Sequence, residues 1–65
     1  MTTYTIRSTD KTGMTVRYTE ESKAAAARFA REESLGGFCD RVEIDDKDGD
    51  TIAVYRSGKK VRAAK

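Results

Sequence analysis

Residues 19–37 read TEESKAAAARFAREESLGG, and the reading of this stretch decides the fold. Thr19 offers a side-chain oxygen as a helix N-cap, and Glu20 and Glu21 follow where the positive end of a helix dipole favours carboxylates. Residues 22–34 are strong helix formers, and Leu35-Gly36-Gly37 supplies glycine for a left-handed C-terminal residue, so the helix stops near Leu35. Ala25, Ala26, Phe29, Ala30 and Glu33 share one stripe at three- and four-residue spacing, opposite Lys23 and Arg31. The alanines let the helix lie close to a sheet, and Phe29 is its one large anchor. Phe29→Ala is therefore expected to cost about 3–5 kcal/mol, enough to unfold a small domain.

Strands flank this helix on both sides. Before it, Tyr4, Ile6, Met14, Val16 and Tyr18 recur at period two around the polar stretch Asp10-Lys11-Thr12-Gly13, which reads as a hairpin. After it, Val42 and Ile44 alternate with Arg41, Glu43 and Asp45; beyond a turn at 46–50, Ile52 and Val54 alternate with Thr51, Ala53 and Tyr55. A Ser57-Gly58 turn leads into Lys59-Lys60-Val61-Arg62 as a short fifth strand, with 63–65 expected to fray. The order is ββαβββ. Tight turns force neighbouring strands to run antiparallel, so the predicted fold is α+β: a single antiparallel sheet covered on one face by one helix. Its other face is left to solvent or to a partner. At 65 residues the chain is a single domain, 1–65, of a size that hides only about 60% of its unfolded surface.

Composition excludes several function classes. Hydrophobic and charged residues are 37% each, and Trp, Pro and His are absent, so there is no His triad, His general base or His metal ligand. The lone Cys39 rules out an intrachain disulfide and multi-cysteine zinc sites, and without a His to activate it the thiol reads as a small packed hydrophobe. No run approaches the roughly 20 apolar residues of a membrane span, and Met1-Thr2-Thr3-Tyr4-Thr5 carries no export signal, so the expected compartment is a reducing cytoplasm. The acidic stretch 44–50 resembles a calcium loop only superficially. With Gly49 at loop position six, the first and twelfth positions fall on Ile44 and Tyr55, and Asp48-Gly49 is a hairpin turn signal instead. Gly36-Gly37 lacks the third glycine and the Lys-Ser/Thr continuation of a phosphate loop. The carboxylates at Glu20, Glu21, Glu32 and Glu33 have no cleft to work in, so they read as solvated charge. The expectation is a non-enzyme without metal, cofactor or small-molecule substrate.

Charge is polarised along the chain. Residues 40–50 hold six acids against Arg41 and Lys47, whereas 56–65 hold Arg56, Lys59, Lys60, Arg62 and Lys65 without an acid. A basic edge of this kind neutralises phosphates, which makes Arg56, Lys59, Lys60 and Arg62 candidates for nucleic-acid binding; the alternative is a solubilising tail. A sheet face bearing Arg7, Arg17, Arg41 and Tyr55 together would favour the former.

The opening strand Tyr4-Thr5-Ile6, the helix segment Ala26-Ala27-Arg28-Phe29-Ala30, the strand Arg41-Val42-Glu43-Ile44, and Ala53-Val54-Tyr55-Arg56 followed by Gly58-Lys59-Lys60 resemble the small phage-encoded type I-F anti-CRISPR proteins. The resemblance covers most of the chain and implies the same ββαβββ plan. It implies a binder that sits on the backbone subunits of the CRISPR-RNA surveillance complex and blocks target DNA hybridisation in the host bacterial cytoplasm. It also points to Arg28, with Arg31 nearby, and to Arg56, Lys59 and Lys60 as partner-binding residues, with nonspecific DNA as a second partner. The chain departs from the group at Ala27 and Glu32, where further basic side chains are found on the helix. Competing readings are a small basic nucleic-acid-binding domain and a phage structural or regulatory protein that works through an open sheet edge.

Overall fold

Two turns of the same local design organise the sheet. In Asp10-Lys11-Thr12-Gly13 the Asp10 N–H donates to Met14 O (2.9 Å) and the Gly13 N–H to Asp10 O (3.1 Å). The Asp10 carboxylate accepts from the N–H groups of Thr12 (2.9 Å) and Met14 (3.0 Å). Asp46-Lys47-Asp48-Gly49 repeats the pattern, with Asp46 N–H to Asp50 O (2.9 Å) and the Asp46 carboxylate accepting from Asp48 and Asp50. Each turn closes on a glycine with positive φ, +94° at Gly13 and +88° at Gly49, where a side chain would be strained. The acids at 46–50 thus build a turn, as their spacing predicts. Asp10 is held below the ordinary carboxylate range, chiefly by the hydroxyl of Thr12.

The computed structural model describes residues 3–63, and side chains as far as residue 61. Its elements are β1 (Tyr4–Asp10), β2 (Thr15–Glu20), α1 (Lys23–Ser34), β3 (Cys39–Asp45), β4 (Thr51–Arg56) and β5 (Lys59–Ala63). The fold is the expected α+β arrangement: one helix on a five-stranded antiparallel sheet, in the order β2-β1-β3-β4-β5. Ala63 belongs to β5 instead of fraying, and the rest of the predicted frayed tail, residues 64 and 65, lies outside the described residues.

Both ends of the helix differ from expectation. The N-cap is Ser22, whose hydroxyl accepts from the Ala25 N–H at 3.0 Å. Thr19 is held in β2 opposite Thr5, so ladder hydrogen bonding outcompetes capping there, and Glu20 and Glu21 precede the first turn. At the C-terminus neither Gly36 nor Gly37 is left-handed. The helix instead tightens through i→i+3 bonds, Leu35 N–H to Glu32 O (3.2 Å) and Gly36 N–H to Glu33 O (3.1 Å).

The core forms where alternation on β1, β3 and β4 meets the helix. Ile6 faces Ile44, Ile44 faces Ala53 and Val42 faces Tyr55 in register, and these side chains are buried against Ala26 and Ala30. Ile6, Val42 and Ile44 are its largest fully buried members. Phe29 is not the anchor foreseen for it. It is half-buried at the margin, its ring 4.6 Å from that of Tyr18 and inclined at 50°. The helix lies mainly over β3 and β1, with little reach to the edge strands, so Met14, Val16 and Tyr18 remain exposed despite their inward alternation.

Candidate functional site

The cationic side chains divide into those neutralised within the sheet and those that are not. On the open face, Arg7 at the middle of β1 donates two bonds to Asp45, Nε to Oδ2 at 2.7 Å and Nη2 to Oδ1 at 3.0 Å. It also donates to the Thr51 hydroxyl (3.1 Å) and lies 3.5 Å from Glu43. The hydrogen bond to Asp45, reinforced by the two carboxylates, raises the Arg7 pKa further above its ordinary value against the opposing effect of burial. Arg41 pairs with Asp40 (3.1 Å) and Glu43 (3.3 Å). Arg17, in register with Arg7, is exposed. The three arginines therefore share a face, but Tyr55 does not join them. It alternates with Ala53 onto the helix side, opposite Val42, and is buried there.

Arg28 and Arg31, three apart and exposed on α1, line a groove of about 490 Å³ with Ala27, Glu32, Leu35 and Tyr55. On β5, Lys60 is the register partner of Tyr55 and so stands on the helix side of the sheet, next to a residue that lines the groove. An extra residue in β5 at this point shifts the register. Lys59 pairs with Arg56 across the Ser57-Gly58 turn. Arg56 lines a separate depression with Lys11, Ser34, Gly36 and Asp40, and Leu35 is common to both hollows. Among the described residues, Arg28, Arg31, Arg56, Lys59 and Lys60 make no ion pair. The backbone of Arg62 pairs with Val54 in β5. The structure thus brings Arg28 and Arg31 together on the groove, puts Lys60 on the same side of the sheet through its pairing with Tyr55, and sets Arg56 and Lys59 apart at the end of the sheet.

A buried serine holds this arrangement. The Ser34 hydroxyl donates to Arg31 O (2.9 Å) and accepts from the Gly58 N–H (2.8 Å), which ties the β4–β5 turn to the last turn of the helix. Sequence reasoning missed Ser34 and Leu35 as parts of the site and set Tyr55 with the arginines of the opposite face, because only the docking of the β4–β5 hairpin against the helix puts the three beside Arg28 and Arg31. The helical spacing of Ser34 from Ala26 and Ala30 was the available signal.

Cys39 borders the Arg56 depression and also a third cleft, lined by Ser8, Asp10, Met14, Val16, Glu33 and Phe38 among others. Its sulfur lies 3.7 Å from the Ser8 hydroxyl and from Thr9 O, and 3.6 Å from Arg41 O. Ser8 in turn donates to Glu33 (3.2 Å). These contacts pack and satisfy the thiol. Among the described residues, no cluster of three His, Cys, Asp or Glu side chains is placed to hold a metal ion, and no helix is long and apolar enough to cross a membrane. Comparison with family models, with curated proteins and with solved structures gives no match.

Proposed function

We propose that this chain is a stoichiometric inhibitor, acting by occupation of a macromolecular surface, and that its binding face is the groove between α1 and β5. The observation that carries the reading is that Arg28 and Arg31, neither of them in an ion pair, line one groove with Tyr55, whose register partner Lys60 stands on the same side of the sheet. Arginine combines charge with planar hydrogen bonding and is enriched at interface hot spots. The resemblance to type I-F anti-CRISPR proteins supplies the partner: the backbone subunits of a CRISPR-RNA surveillance complex, met in the cytoplasm of a phage-infected bacterium. Occupation of those subunits keeps target DNA from hybridising with the guide, and no bond is made or broken.

The test is target-DNA binding by a purified type I-F surveillance complex with increasing amounts of the chain. Wild-type chain abolishes DNA binding near equimolar amounts, whereas Arg28→Glu with Arg31→Glu, or Lys60→Glu, weakens inhibition by at least about tenfold, equivalent to roughly 1.4 kcal/mol, while melting is unchanged. Full inhibition by these variants would remove the groove from the interface, and no effect of wild-type chain would remove the partner. A second reading rests on Arg56 and Lys59, which face each other across the β4–β5 turn and concentrate charge at the end of the sheet. If DNA alone is the ligand, it binds without the complex, with affinity falling steeply as salt rises.

A further inference from the structure

Tyr55 is only 9% exposed and lines the α1 groove, yet its hydroxyl makes no hydrogen bond among the described residues. A tyrosine buried to this degree normally spends that group on an internal partner. Among the described residues no side-chain oxygen is both sealed from solvent and unbonded, so this hydroxyl is accessible, and the groove is the hollow that Tyr55 lines. The other polar groups of the groove are equally unspent. Arg28 and Arg31 make no ion pair, and Glu32, one helical turn beyond Arg28, does not pair with it. Leu35 supplies an apolar wall. It is 62% exposed, and its side chain lies so close to Gly58 that a Cβ there would collide with it, so the β4–β5 turn fixes its position.

We propose that the groove takes an acidic protein segment with an apolar anchor: a partner carboxylate received by Arg28, Arg31 and the Tyr55 hydroxyl, and a neighbouring apolar side chain laid against Leu35. The proposal deepens the inhibitor reading and rests on it for the choice of this groove. Two guanidinium forks and a phenolic O–H are donors that converge on one hollow, and a carboxylate accepts from such a set in bidentate fashion. A phosphate group could use the same donors, so the rest of the lining decides between the two. Affinity for a nucleic-acid strand comes from a run of cations that neutralises successive phosphates. Here Glu32 interrupts that run with a negative charge, which opposes a polyanion but can accept an N–H from a peptide. Ala27, Leu35 and the Tyr55 ring offer apolar surface that a phosphodiester chain leaves wet and that a leucine or phenylalanine side chain buries. The groove is therefore the protein-facing surface of the molecule, separate from the Arg56 and Lys59 pair at the end of the sheet.

The test is NMR titration of the nitrogen-15-labelled chain with a short peptide that carries a phenylalanine flanked by glutamates, beside a single-stranded oligonucleotide of equal charge. The peptide is expected to shift the amides of residues 27–35 and Tyr55 to saturation, and the oligonucleotide is not. Arg28→Glu with Arg31→Glu weakens the peptide by at least about tenfold. Tyr55→Phe, which removes only the hydroxyl, weakens it by about tenfold with melting retained. Leu35→Ser weakens the peptide but leaves unchanged the poorer binding of a counterpart with serine in place of phenylalanine. Groove amides that do not move up to millimolar peptide overturn the proposal. So does a response indifferent to Tyr55→Phe, or equal binding of the serine counterpart. A groove that responds more tightly to the oligonucleotide than to the peptide assigns it to phosphate and overturns the proposal as well. The titration contains no surveillance complex. A chain that binds the peptide but does not inhibit the complex therefore loses only the inhibitor reading, and one that inhibits without binding the peptide loses only this proposal.

Discussion

Arg7 occupies the middle of the open face, with 28% of its side chain exposed, and its guanidinium is matched by a bidentate carboxylate whose side chain is only 13% exposed. Its removal would leave Asp45 partly desolvated with Thr51 as its remaining side-chain partner. Arg7→Met, which keeps much of the aliphatic stem, is expected to destabilise by about 1–3 kcal/mol, read from the urea midpoint. Arg41→Met, at a more exposed ion pair, should cost about 1 kcal/mol or less. The same neutralisation has a functional side. An arginine already held by two carboxylates is a poor phosphate ligand, so Arg7→Met should leave any DNA affinity nearly unchanged while Arg56→Glu lowers it.

Elements meet at the β4–β5 turn. Ser57 and Gly58 both have left-handed backbone, φ +53° and +78°, as a two-residue hairpin requires, and the turn is tied to α1 through Ser34. Ser34 is 3% exposed, so Ser34→Ala strands the Gly58 N–H beneath Leu35. The expected cost is about 1–3 kcal/mol, with faster hydrogen exchange at the Gly58 amide as the local readout. Because this bond sets β5 against the helix, the same change should also weaken groove binding through Lys60 while Arg28 and Arg31 stay in place.

At the scale of the molecule, stability rests on a core that among the described residues holds seven buried apolar side chains, of which three are alanines. Ile6, Val42 and Ile44 therefore carry most of the buried volume. Ile44→Ala is expected to cost about 2–5 kcal/mol, a loss that takes a domain of this size close to unfolding. Phe29→Ala, at the margin beside Tyr18, should cost less, about 1–3 kcal/mol. The order of the two midpoints in thermal or urea melts is the check, and a larger loss at Phe29 would move the centre of the core back onto the helix.

Alternation at period two, the glycine turns and the alanine-rich helix determined the element order and the antiparallel sheet, because these are local preferences written residue by residue. The charged residues of the site were visible as residue types for the same reason. Their partners were not. That Asp45 and Glu43 neutralise Arg7, that Tyr55 turns to the helix, and that Lys60 stands on the helix side beside Tyr55 depend on strand order and on which strands the helix covers. Those are properties of contacts between distant segments, 38 positions apart for Arg7 and Asp45, and they are set when the core closes, not by any preference of the local chain.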